Sequence, residues 1–87
     1  MSKHDSHPEI VKRLKRAEGH LRKTITMIQD ERACVDVAQQ LHAVERAIAQ
    51  AKKAFIHDHI DHCLDGTANA EEAREMVGEF KTISKYL

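Results

Sequence analysis

The chain has 87 residues, 41% of them hydrophobic and 32% charged, with three glycines, one proline, no tryptophan and three aromatic side chains, Phe55, Phe80 and Tyr86. No glycine or proline interrupts His20 to Asp65 and no apolar run exceeds a few residues, which excludes a sheet protein and a membrane span, while the first five residues are too polar and too few for a signal peptide. Net charge is zero but unevenly spread, with seven Lys or Arg against three acids in residues 1–23 and three against seven in residues 57–87, so one end of a single cytoplasmic all-α domain, residues 1–87, is suited to a polyanion.

The first predicted helix opens at Ser6, with Pro8 in its first turn and Glu9 placed to close a capping box. Ile10, Leu14, Ala17, Leu21, Ile25 and Ile28 step by three or four and form one stripe, expected to be buried, before the pattern fades near Gln29 to Arg32. The second helix carries the cleanest signal. Cys34, Val37, Leu41, Val44, Ile48, Ala51 and Phe55 alternate steps of three and four, a heptad seam that predicts a helix to about Leu64 with Gly66 as its C′ residue. Asn69 and Glu72 form a second capping signature, opening a short third helix with Ala73, Met76, Phe80, Ile83 and Leu87 as its stripe. The expected architecture is a long antiparallel helix hairpin plus a short C-terminal helix. A chain this small covers little of its own apolar surface, so it should dimerise into a four-helix bundle.

Chemistry concentrates where the second helix ends, in His57-Asp58-His59-Ile60-Asp61-His62-Cys63. His59 and Cys63 stand at i and i+4 on one face, the spacing at which a helix offers two ligands to one metal. Cys34 begins the same helix, and 29 residues at about 1.5 Å each separate it from Cys63 by some 44 Å. One chain cannot join them. Two copies packed antiparallel about an axis near residue 47 or 48 can, generating two identical sites with two thiolates and one imidazole apiece. Such soft donors suit Cu(I), with Ni(II) or Zn(II) accommodated if another ligand joins, for which His4 and His7 are candidates. The bland alternative makes the cysteines two small buried hydrophobes. His20, His42, His57 and His62 read as ordinary polar helix residues, and no enzyme signature is present.

The spacing of Cys34, His59 and Cys63 in an all-helical chain of this length resembles the CsoR/RcnR/FrmR family of bacterial transcriptional repressors. Val11-Lys12-Arg13-Leu14-Lys15-Arg16-Ala17-Glu18-Gly19 looks like the family's basic segment, and Cys34 followed by Val37-Ala38-Gln39-Gln40-Leu41 looks like its cysteine and paired-glutamine block. The resemblance implies an antiparallel dimer paired into a homotetramer that binds double-stranded operator DNA and releases it when an effector occupies the inter-subunit site. Cys34, His59 and Cys63 match the copper(I) set, and nickel sensors add an N-terminal histidine to a similar core. Ser2 in place of the proline of formaldehyde sensors argues against aldehyde sensing, and His59 argues against the persulfide branch. Glu79 falls where some copper sensors carry an outer-shell acceptor. Glu45 departs from an arginine that many members use for DNA, with Arg46 one position later.

Lys12, Arg13, Lys15 and Arg16, extended by Arg46, Lys52 and Lys53, are therefore the expected phosphate contacts. The rival reading from another class is a helical metal-storage or metal-transfer protein with the same site and no DNA role. The basic first helix discriminates between the two, since storage has no need of it.

Overall fold

A computed structural model describes residues 6–63 and 69–87, the side chains of His62 and Cys63 excepted. Among the described residues there is no strand; the elements are α1 (His7–Gln29), α2 (Cys34–Cys63) and α3 (Ala70–Ile83), closed by a 3₁₀ turn at Ser84–Tyr86. No helix among them is long and apolar enough to cross a membrane. Leu64 and Gly66, expected at the end of α2, lie outside the described residues, as do Ser2 and His4.

The helix ends follow local chemistry, with one departure. Ser6 occupies the N-cap position of α1, but its backbone is already helical and its side chain caps nothing. Its Oγ is buried without a hydrogen-bond partner, so the expected capping box with Glu9 does not form. Pro8 sits in the first turn, where its missing N–H is no loss. At the other end the Arg32 and Glu31 amides donate to the carbonyls of Met27 and Ile28, a Schellman closure. That closure requires a left-handed residue, which here is Glu31 at φ 56° rather than the usual glycine. Asn69 does cap α3, its Oδ1 accepting from the Glu72 amide at 2.8 Å and its Nδ2 donating to Glu72 Oε1 at 3.4 Å.

α1 and α2 pack as an antiparallel hairpin, and the period-seven positions divide sharply. Ile10, Ala17 and Thr24 of α1 and Val44 and Ala51 of α2 are buried. The other half of the α2 seam is open: Leu41, Ile48 and Phe55 keep 44%, 44% and 46% of their surface, against 4% for Val44 and 1% for Ala51. The single buried stripe expected for α1 is likewise split, because Leu14, Leu21, Ile25 and Ile28 remain exposed. A two-helix layer can bury only the positions between its helices, and the next positions around need a second layer. No residue of α3 is buried either.

The dimensions carry the same message. The Cα envelope measures 57 × 27 × 14 Å with a radius of gyration of 17.7 Å, whereas a compact domain of this length has roughly 12 Å. The accessible surface is 6976 Å², against roughly 5200 Å² for a compact protein of this mass. The difference, about 1800 Å², is roughly twice what one partner contributes to a standard stable interface.

Thr24 is the one polar residue buried as a whole among the described residues. It is tolerated because its Oγ1 donates to the His20 carbonyl at 2.8 Å. Ile10 is the largest side chain of α1 held in the inter-helix layer. Ile10→Ala is expected to lower unfolding stability by about 2–5 kcal/mol, the range for truncating a buried isoleucine; urea unfolding at fixed protein concentration reads the change.

Candidate metal centre

The predicted ligands occupy opposite ends of one unbroken rod. Cys34 is the first residue of α2, exposed and unpaired, so the reading of this cysteine as a small buried hydrophobe does not hold. It lines a groove of ≈ 440 Å³ with Ile28, Val37, Ala38 and Leu41, bordered by Glu31 and Arg32 of the turn. The sulfur therefore sits in an apolar depression that the chain's own residues leave open. Cys63 closes α2; its side chain lies outside the described residues.

His59 faces α3. Its Nε2 lies 3.5 Å from Glu79 Oε2, and it lines a cleft with Gly78, Thr82, Ile83 and Tyr86. An imidazole fixed through one nitrogen to a carboxylate has its ring orientation set for the other, an arrangement common around metal-ligating histidines. α3 thus brings a carboxylate to the His59 ring.

Helix register relates these residues to the open seam. At about 100° per residue, Cys34, His59 and Cys63 fall within about 40° of one another around α2, on the side that carries Leu41, Ile48 and Phe55. The exposed residues Cys34, Leu41, Ile48 and Phe55 repeat every seven residues, and 62 is the next position of that spacing in the sequence, so the series is centred on Ile48. In an antiparallel pair centred there, Leu41 would oppose Phe55 and Cys34 would oppose position 62, beside Cys63 and one turn beyond His59. Among the described residues no group of three His, Cys, Asp or Glu side chains is placed to hold a metal ion.

The N-terminal candidates separate. His4 lies outside the described residues. His7 is brought to the site end of the molecule, its ring stacked on Phe55 with centroids 5.1 Å apart and planes 16° from parallel. Its Nε2 stands 3.3 Å from Asp58 Oδ2.

The basic residues sort by face. Arg13 and Arg16 line a groove with Ala17, His20, Ala47 and Gln50, on the side of the hairpin opposite the open apolar seam. Arg46 and Lys53 lie one turn either side of Gln50 and extend that face, and Lys12 lies within about 40° of Arg16 around α1. Lys15 falls about 100° from Arg16, further round α1, and Lys52 falls about 160° from Gln50, toward the apolar seam. All seven are exposed. Sequence reasoning missed His20, whose Nε2 meets Gln40 Oε1 of α2 across the hairpin. The sequence carried no signal for it, because the half-burial of Gln40 arises only when α2 pairs with α1.

Residues 6–85 match the family model of the metal-sensitive transcriptional repressors. The chain is 28% identical over 96 residues to the copper-sensing transcriptional repressor CsoR of Bacillus subtilis, covering 98% of this chain and 95% of that protein. It is 37% identical over 71 residues to the Mycobacterium ulcerans CsoR, where the match spans 76% of this chain and 61% of the relative. Among solved structures, the nickel-responsive transcriptional regulator InrS superposes with a TM-score of 0.80 at 30% identity, over 99% of this chain and 96% of that one.

Proposed function

The chain belongs to the family of metal-sensitive transcriptional repressors, which are not enzymes, and from that premise we propose that it releases operator DNA on binding Cu(I) or Ni(II) at a site shared between two copies. Cys34 of one copy and His59 and Cys63 of the other are the proposed ligands, with Glu79 orienting His59. The donor chemistry supports Cu(I) first: two thiolates and an imidazole are soft, whereas Ni(II) and Zn(II) ask for more donors, and His7 is turned to Asp58. Relatives named for copper and a structural neighbour named for nickel fit that pair of metals.

The observation that carries the reading is the division of the hairpin into two faces. The open apolar seam, with the proposed ligands at both its ends, is a surface for a second copy. The opposite face presents Arg13 and Arg16, with Arg46 and Lys53 beside them, as a surface for phosphates. α1 and α2 contribute to both faces, so a change at the seam reaches the phosphate face through rigid helices. Cys34, His59 and Cys63 tie one copy's α2 to the other's when they close on an ion, and a homotetramer whose basic faces no longer match the duplex would let go. A coupling of about 1–3 kcal/mol, usual for allostery, changes occupancy about 5- to 150-fold.

The test is fluorescence anisotropy of the reduced protein on duplex from its own upstream region, before and after one equivalent of Cu(I) or Ni(II) per chain without oxygen. Release supports the proposal; a protein that takes up metal but does not bind duplex is a storage or transfer protein. Arg13→Ala with Arg16→Ala is expected to weaken duplex binding across sequences. It should also flatten the dependence of log K on log salt by about 0.9 for each phosphate left without its arginine, read as anisotropy titrations at several salt concentrations.

A further inference from the structure

The release of DNA requires a link between the far end of α2 and the basic part of α1, and one side chain spans them. His7 lies in the first turn of α1 and stacks on Phe55 of α2, while its Nε2 faces Asp58. Phe55 stands one helical turn before His59, and Asp58 immediately precedes it. The turn of α2 that holds a proposed ligand is therefore also the turn on which α1 begins. From His7, α1 runs without a break to Gln29, so Arg13 and Arg16 follow about 9 and 14 Å along the same rod. A near-parallel ring stack is directional, so reorientation of Phe55 drags the first turn of α1 with it in a way that a greasy contact would not.

From this geometry we infer that His7 is a positioning residue, which couples ligand capture at His59 to the attitude of the basic face through its stack on Phe55 and without touching the ion. The inference rests on the metal-responsive reading above and replaces the expectation that His7 is a ligand. Phe55 serves both sides of the link: one part of its ring takes His7, and the rest belongs to the exposed seam on which a second copy would pack. Closing the shared site thus acts on α1 at its first turn, and a tilt there moves Arg13 and Arg16 in proportion to their distance along the rod.

The experiment compares wild type, His7→Ala and His7→Phe for duplex affinity with and without saturating Cu(I), alongside copper content per chain and a thermal melt to confirm folding. Phenylalanine keeps a ring on Phe55 and offers no nitrogen to a metal. His7→Ala is expected to take up copper and to shrink the ratio of the two duplex affinities by at least about fivefold, while His7→Phe returns it to within about twofold of wild type. A wild-type ratio in His7→Ala overturns the inference, as does failure of His7→Phe to rescue a copper-loaded protein. Loss of copper from both variants also overturns it, by marking His7 as a ligand. Absence of any metal response in the wild type would instead overturn the reading on which the inference rests.

Discussion

Cys34→Ala is expected to abolish metal-driven release while leaving duplex affinity of the metal-free protein within about twofold, because Cys34 lies at the seam end of α2, away from the Arg13 and Arg16 groove. Metal affinity should fall by more than about 100-fold, since removing an outer-shell partner alone costs about 10- to 100-fold. Competition with a chelator of known affinity measures the fall in metal affinity, and anisotropy with and without metal measures the loss of release. A sharper form of the test uses two defective proteins together. Cys34→Ala lacks the sulfur at one end of the rod, and His59→Ala lacks the imidazole at the other. If each site draws Cys34 from one copy and His59 with Cys63 from the other, a mixed dimer keeps one complete site, because both defects fall together in the second. Mixing the two variants should restore tight metal binding to half the stoichiometry of wild type in every mixed dimer. Sites built within single chains would stay defective in the mixture, and that result would sink the shared-site reading.

The residues show which parts of this protein a sequence can announce. α2 was legible almost to the residue because Cys34 to Phe55 alternate steps of three and four without interruption, and Asn69 announced α3 because its cap is a local contact with Glu72. Ser6 carries the same kind of signature and fails, since its backbone is already helical where an N-cap is extended, and its side chain makes no capping hydrogen bond. Apolar spacing identified the stripes on α1 but could not divide them: Ile10 and Leu14 look alike in sequence, and only the partner helix decides that one is covered and the other open. The division of donors between the ends of a rod followed from rise per residue alone, whereas the pairing of His59 with Glu79 depends on how α3 returns past α2. His20 and His7 were the least legible. Their contacts with Gln40 and Phe55 join residues 20 and 48 apart in the chain, and no periodic pattern encodes them.

The seam makes the second large prediction, and Ile48 is where it is sharpest. Ile48 is the centre of the seven-residue series that runs from position 34 to position 62, and it keeps 44% of its surface in the single chain. In an antiparallel pair centred on it, residue 48 meets its own symmetry mate, so any charge placed there is doubled. Ile48→Glu would set two carboxylates against each other inside an apolar interface, a juxtaposition that costs several kcal/mol, or on the order of a 1000-fold loss of dimer affinity. The expected result by sedimentation equilibrium is a monomer at micromolar concentration. Shared metal sites and duplex binding should disappear with the dimer, since each needs two copies. Ile48→Lys should behave in the same way by itself, for the opposite sign of charge. Mixed in equal amounts, the two variants should associate with each other, because a carboxylate would then face an ammonium across the axis. That recovery requires residue 48 to oppose residue 48. In a pair of helices displaced by one heptad, position 48 would oppose position 41 or 55, and the mixture would remain as monomeric as its parts.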